Sequence, residues 1–175
     1  MGLQEALGYE PGSANIVQRL MQRIASSRPG SWLFQKLLYR IDRPIFRWSR
    51  GRITVPGLVA GLPVIMLTTT GAKSGIERTM PLVGVPVEGD LAVIGSNYGQ
   101  PATPGWVHNL EANPTGRVAY RDASVEVVAR PATDEEQNRI FDLAAGIYGG
   151  YAAYRARADQ RTIRVFVLAI ASTPG

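Results

Sequence analysis

The sequence has no cysteine, a single histidine and only two lysines among its 19 basic residues. Without cysteine there can be no disulfide, thiolate nucleophile, iron–sulfur cluster or cysteine zinc site, and one histidine cannot build a histidine metal cluster, so metal catalysis is not expected. Long hydrophobic runs are missing as well. The longest, residues 55–67, is broken by Pro56, Gly57, Gly61 and Pro63, and the N-terminus carries Glu5 and Glu10 without an apolar stretch between charged flanks. Neither a membrane span nor a secretion signal is expected, and a soluble cytoplasmic protein follows by default. At 175 residues the chain is long enough for one domain with a real core and too short for two substantial ones.

The net charge of +5 is unevenly placed. Residues 1–60 hold nine Lys/Arg against three acids, whereas residues 61–175 hold ten against eleven. Within this basic third, Asn15–Ser26 puts Ile16, Val17, Leu20, Met21 and Ile24 on one helical face, and Ser31–Trp48 sets Lys36, Arg40, Arg43 and Arg47 in a stripe beside an apolar one. We expect a basic amphipathic helical arm over residues 1–54 and the main domain over 55–175. The stripe across residues 14–52 is either a solvated helix face or a surface for anionic lipid or an acidic partner. Nucleic acid ranks last, because no recognised binding motif or stacking platform accompanies the charge.

Beyond the arm the pattern becomes strand-like. Val64–Thr70, Thr79–Val87, Leu91–Ser96, Gly116–Arg121, Ser124–Arg130 and Thr162–Ala171 are rich in β-branched and apolar residues between turn formers. Pro104–Ala112 reads as a short helix ending before Asn113-Pro114, and Thr133-Asp-Glu-Glu136 has capping-box spacing for a helix reaching about Tyr148. About six antiparallel strands with peripheral helices make an α+β, mainly β, barrel the expected fold.

Three segments carry candidate chemistry. In Leu67-Thr-Thr-Thr-Gly-Ala-Lys-Ser-Gly-Ile-Glu-Arg78, Gly71 and Gly75 bracket a tight turn flanked by the cations Lys73 and Arg78. Backbone N–H groups of such a turn can converge on an oxyanion that the cations neutralise. An ordinary polar hairpin with solvated cations is the competing reading, although a lysine in so arginine-rich a chain favours a need for a compact ammonium. The segment Gly95-Ser-Asn97 to Pro114 is dense in turn formers, and the helix opened by Pro104-Gly105 offers unpaired N–H groups, with Trp106 either an aromatic wall or core. His108 has only Glu111 nearby, so no charge relay is indicated. Tyr148, Tyr151 and Tyr154 recur every three residues and are either packed tyrosines or an aromatic lid over an organic substrate.

Taken together, Thr68-Thr-Thr-Gly-Ala-Lys-Ser-Gly75, Arg78-Thr-Met-Pro-Leu82, Gly95-Ser96, Pro104-Gly-Trp-Val-His-Asn-Leu110 and Ala112-Asn-Pro114 resemble the deazaflavin-dependent nitroreductase family, which uses coenzyme F420. The resemblance runs from about Pro63 to the C-terminus. It implies a split β-barrel related to FMN-binding oxidoreductases, and it implies an enzyme that passes a hydride from reduced F420 to a quinone, nitroaromatic or activated enone. By the same resemblance, Ala72, Lys73, Ser74, Arg78, Thr79, Met80, Pro81, Leu82 and Val83 hold the cofactor's phosphate, its acidic tail and adjoining atoms. Ile94, Gly95, Ser96 and Asn97, with Gly105, Trp106, Val107, His108 and Asn109, hold the ring system. Ser96, Tyr148, Tyr151 and Tyr154 face substrate, and Tyr151 touches the cofactor too. His108 receives no proton-transfer role. An FMN enzyme on the same barrel and a non-catalytic cofactor or lipid carrier are the alternatives. Because two cations and a basic arm suit a longer anionic tail than one phosphate, F420 is expected over FMN.

Overall fold

The computed structural model describes residues 1–10, 62–97, 100–149, 151 and 162–171. The expected helices over 15–26 and 31–48, with the basic stripe and Tyr154, lie outside the described residues.

Seven strands are present: β1 (Val64–Thr70), β2 (Glu77–Val83), β3 (Val85–Val87), β4 (Asp90–Ile94), β5 (Thr115–Tyr120), β6 (Ala123–Pro131) and β7 (Val165–Ile170). All pair antiparallel in one sheet of order β2-β1-β5-β6-β7-β4-β3. The expectation of one strand over 79–87 is corrected at Gly84. There the chain leaves β1, its partner as β2, and joins β4 as β3. The two ends of the sheet order are therefore consecutive pieces of one segment, so the sheet curls on itself as a mainly β, barrel-like fold with few helices. A side chain at Gly84 would meet the Tyr9 hydroxyl at 3.0 Å, and that hydroxyl donates to the Gly84 carbonyl at 2.6 Å.

Burial divides by face. The concave face collects Ile65, Leu67, Leu91, Val93, Val118, Val127, Phe166 and Leu168 into one cluster, with Trp106, Val107 and Leu110 from a helix. On the opposite face of β3, β4 and β7, Val85, Val87, Ala92, Ile94, Val165 and Val167 pack against Ile140, Phe141 and Ala144. β4 and β7 are thus covered on both sides, which is why Leu91–Ile94 and Val165–Leu168 read as unbroken apolar strings rather than alternating ones. Each fully buried Leu or Ile side chain contributes about 1.5–3 kcal/mol.

Three helices complete the described chain: α1 (Leu3–Leu7), α2 (Gly105–Ala112) and α3 (Asp134–Ile147). α3 begins with the capping box expected from sequence: the Glu136 N–H donates to Thr133 Oγ1 at 3.3 Å and the Thr133 N–H to Glu136 Oε2 at 2.8 Å. Arg130 forks onto both Glu136 oxygens at 2.6 and 2.8 Å, and this contact, with the Thr133 N–H, pulls the carboxyl down to about 2. α1 was not anticipated, since five residues carry too little periodicity to register. It seats Leu3 and Leu7, with Tyr9 just beyond, in the concave cluster and ties to the β3–β4 turn through Gln4 N–H to the Gly89 carbonyl at 2.9 Å and Gln4 Nε2 to the Asp90 carbonyl at 2.7 Å. The described part of the expected arm is thus built into the barrel core.

Candidate functional site

The strand registers bring the β1–β2 turn, the end of β4 and the starts of β5 and β7 to one end of the sheet, opposite α1. Gly71 to Ile76 form the turn. The Gly71 N–H donates to the Ile76 carbonyl at 2.9 Å and the Gly75 N–H to the Gly71 carbonyl at 2.8 Å, while Gly75 has φ of 66°, a left-handed value that glycine adopts without strain. A Cβ on Gly71 would lie 2.6 Å from Ser74 Oγ and 3.7 Å from Arg78 Nε, so both side chains lean over the turn.

The turn's polar groups are unevenly used. The Ala72 N–H is held by Asn109 Oδ1 at 3.0 Å, and the Ile76 N–H reaches Ser74 Oγ at 3.4 Å. Among the described residues, nothing partners the N–H groups of Lys73 and Ser74. The cations follow the same division. Arg117, Arg121, Arg130, Arg139 and Arg164 each have a carboxylate within 4.0 Å, whereas Lys73 and Arg78, among the described residues, have none. Two open N–H groups and two unpaired cations around one exposed turn are a donor set for an anion.

Arg78, Met80 and Leu82 share the concave face with Thr69, Leu67 and Ile65, their register partners. Met80 and Leu82 accordingly pack on the core, while Thr79, Pro81 and Val83 point the other way. Thr79 Oγ1 meets Thr68 Oγ1 at 2.8 Å. Pro81 stands on a strand at the end of the sheet order, where its missing N–H costs no ladder bond.

α2 lies beside this turn. Its N-cap is Pro104, which gives no side-chain cap, and among the described residues the Gly105 and Trp106 N–H groups have no partner. The missing side chain of Gly95 lets the helix approach: a Cβ there would stand 2.9 Å from Val107 Cγ2 and 3.1 Å from the Arg164 carbonyl, which the Gly95 N–H already engages at 2.8 Å. Ile94 and Ser96 are buried and Asn97 is partly so, with Asn97 Nδ2 closing the following loop onto the Ala102 carbonyl at 2.8 Å.

Packing decides between two pairs of alternatives that the sequence leaves open. Trp106 is not an aromatic wall: its side chain is 2% exposed and packs edge-on against Phe166 at 6.0 Å, so at the site it offers its backbone N–H. Val107 likewise is core, at 0% exposure. Nor do Tyr148 and Tyr151 stand up as a lid. They meet edge to face at 5.9 Å within the second core cluster, beside Ile94 and Val85. His108 is exposed, its Nδ1 3.4 Å from Glu111 Oε2, and Glu111 Oε1 also takes Arg164 at 3.2 Å.

Sequence reasoning missed Thr69, whose hydroxyl accepts from Asn109 Nδ2 at 3.0 Å, and Tyr9. The run of three threonines before Gly71 was the available signal for Thr69; nothing in the sequence marked Tyr9.

Residues 38–169 match the model of the F420H(2)-dependent quinone reductase family. The chain belongs to that family. The F420H(2)-dependent quinone reductase Rv1261c of Mycobacterium tuberculosis is 32% identical over 136 residues, spanning 75% of this chain and 89% of that protein. Among solved structures, the F420-H2 dependent reductase FDR-A is 39% identical with a TM-score of 0.56, covering 61% of this chain and 93% of that one. A structure described as a domain-swapped dimer is 33% identical with a TM-score of 0.57, covering 80% of this chain and 98% of that one. As a member of the quinone reductase family, the chain is an oxidoreductase whose cofactor is reduced coenzyme F420. The donor set of the turn suits that cofactor, since a phosphate and acidic tail need the cations and N–H groups that the turn leaves open. No helix among the described residues is long and apolar enough to cross a membrane.

Proposed function

We propose that the protein reduces a quinone with F420H2, holding the cofactor's phosphate and acidic tail at the β1–β2 turn and its ring system between the end of β4 and the start of α2. The carrying observation is that Lys73 and Arg78 alone, among the described Lys and Arg side chains, lack a carboxylate partner and flank two open backbone N–H groups. In this reading Lys73, Ser74 and Arg78 bind the anionic groups, while Ala72 and residues 79–83 form the adjoining wall. Ile94 to Asn97 lie under the ring, and the N–H groups of Gly105 and Trp106 meet its carbonyl oxygens, with Val107, His108 and Asn109 setting the helix behind them.

When bound, the reduced cofactor supplies a hydride to the acceptor. The protein's part is to orient and to exclude water, so no acid–base dyad is required. Adding a hydride to a quinone leaves one more proton to be delivered, from solvent or from a hydroxyl such as Ser96. Tyr148 and Tyr151 back this region from the core cluster beside Ile94, and Tyr154 bounds the acceptor side of the pocket. Nitroaromatics and activated enones have the same electrophilic character and are the secondary acceptors. Residues 55–175 constitute the cofactor-binding unit. The basic arm over 14–52 brings it to anionic membrane surfaces where quinones partition; liposome flotation left unchanged when Lys36, Arg40, Arg43 and Arg47 are replaced by glutamine would sink this last point.

The test is a fluorescence titration with F420 and with FMN, followed by oxidation of F420H2 with menadione. Tighter F420 binding and menadione-dependent turnover are expected. Preference for FMN overturns the cofactor assignment at this site, and tight F420 binding without turnover points to a carrier.

A further inference from the structure

Asn109 is one of only four buried polar side chains among the described residues, at 8% exposure, and both ends of its amide hold protein groups. Oδ1 accepts from the Ala72 N–H at 3.0 Å, and Nδ2 donates to Thr69 Oγ1 at 3.0 Å. A backbone N–H can be satisfied only by the acceptor end, so these partners fix which way the amide faces. Both supports are rigid. Thr69 is 1% exposed on the concave face of β1, and the helix bearing Asn109 is anchored by Trp106, Val107 and Leu110 in the core. A chain of contacts therefore runs from the barrel wall and the core helix, through one amide, to the Ala72 N–H of an exposed turn. The next two N–H groups along that turn are those of Lys73 and Ser74, the pair left open.

We propose that Asn109 is a positioning residue for anion capture: it pins Ala72 so that the Lys73 and Ser74 N–H groups and the Lys73 ammonium converge on one anionic group of the ligand. This rests on the reading of the turn as the cofactor's phosphate and tail site, and it replaces the direct cofactor contact that the resemblance implied for Asn109. Removing the amide leaves the Gly71 to Ile76 closure in place but frees the turn's leading corner, so the two donors lose their common aim. Thr69 acts one step further back, by holding the amide.

The test compares coenzyme F420 with its phosphate-free deazaflavin fragment, the ring bearing only its ribityl chain, by fluorescence titration of purified variants. Asn109→Ala should weaken F420 binding about tenfold and change fragment binding by less than about twofold, since only the anionic group depends on the turn. Thr69→Ser keeps the hydroxyl and should bind like wild type, whereas Thr69→Val keeps the shape and should weaken F420 binding in the direction of Asn109→Ala. In a Lys73→Ala background the effect of Asn109→Ala should shrink, because both act on one contact. Equal loss for both ligands, or no loss for F420, overturns the proposal. Hydrogen exchange supplies a readout that needs no ligand: the segment 71–76 should exchange faster in Asn109→Ala than in wild type. If wild type fails to bind F420, the functional reading falls, and unchanged exchange over 71–76 would separately remove the positioning role.

Discussion

At the α1 end of the sheet, polar backbone groups are tied down and the space is filled. Tyr9 donates to the Gly84 carbonyl, Gln4 holds the Gly89 and Asp90 carbonyls, and Leu3 and Leu7 occupy the mouth of the concave face. At the opposite end the β1–β2 turn leaves two adjacent N–H groups and two cations open, and α2 presents further N–H groups behind an uncapped proline. Both ends are made of the same strands, so the sheet itself does not impose the contrast. Open N–H groups together with two cations that meet no carboxylate among the described residues suit one end of the sheet to an anion from outside the chain, which the filled end does not.

Four measurements would break or sharpen this contrast. The largest effect belongs to the filled end: Leu3→Ala should destabilise by about 2–5 kcal/mol through the cavity it leaves. Urea unfolding measures that, and F420 affinity in the same variant should stay within about twofold; a large affinity loss would mean that the two ends are not independent. Next, Lys73→Ala or Arg78→Ala should weaken F420 binding by about 1–3 kcal/mol as a charge-assisted contact disappears. Their urea midpoints should remain at the wild-type value, and unchanged F420 affinity would return the turn to an ordinary hairpin.

A smaller effect is expected from Tyr9→Phe, which orphans a buried carbonyl and should cost about 1 kcal/mol in urea unfolding. Burial, then the neighbouring Tyr120 and Tyr151, raises the Tyr9 phenol above its ordinary value. The hydroxyl must stay neutral in the folded protein, so its contribution is complete below about pH 10 and is lost as pH rises further. The phenylalanine variant should lack that alkaline loss. Smallest is Glu136→Gln, which lies away from both ends. With its folded value pulled down to about 2 by Arg130 first and the Thr133 N–H second, Glu136 contributes stability above the ordinary carboxylate range and loses it as pH falls toward 2. Urea midpoints of wild type and variant should converge on going from pH 6 to pH 3, with F420 binding unaffected at neutral pH.

Local signals made parts of this fold legible. β1 begins after Pro63 and stops at Gly71, α2 opens at Pro104, and Thr133 to Glu136 starts α3, each fixed by chemistry within a few residues. The break at Gly84 was not legible, because it marks a change of partner between strands far apart in sequence. Trp106 and the tyrosines show the same limit for the site. Aromatic residues beside a ligand loop read alike whether they face ligand or core, and only the placement of Phe166 and α3 against them decides. Lys73 and Arg78 could be picked out by type, but that they are unpaired depends on where every carboxylate in the fold ends up. Asn109 stood inside a recognised string, yet its two hydrogen bonds span 37 and 40 residues and leave no trace in local sequence.

That Lys73 and Arg78 meet no carboxylate among the described residues also has a kinetic consequence. Exposed charges without counter-ions on the protein project their field into solvent and accelerate the encounter with an oppositely charged molecule, and salt shortens that reach to about 8 Å at physiological ionic strength. The rate of cofactor capture should therefore fall as salt is added. With the cofactor held as proposed, escape depends on contacts already made within the turn and should respond less, so ionic strength would act on this enzyme mainly through how quickly it is loaded.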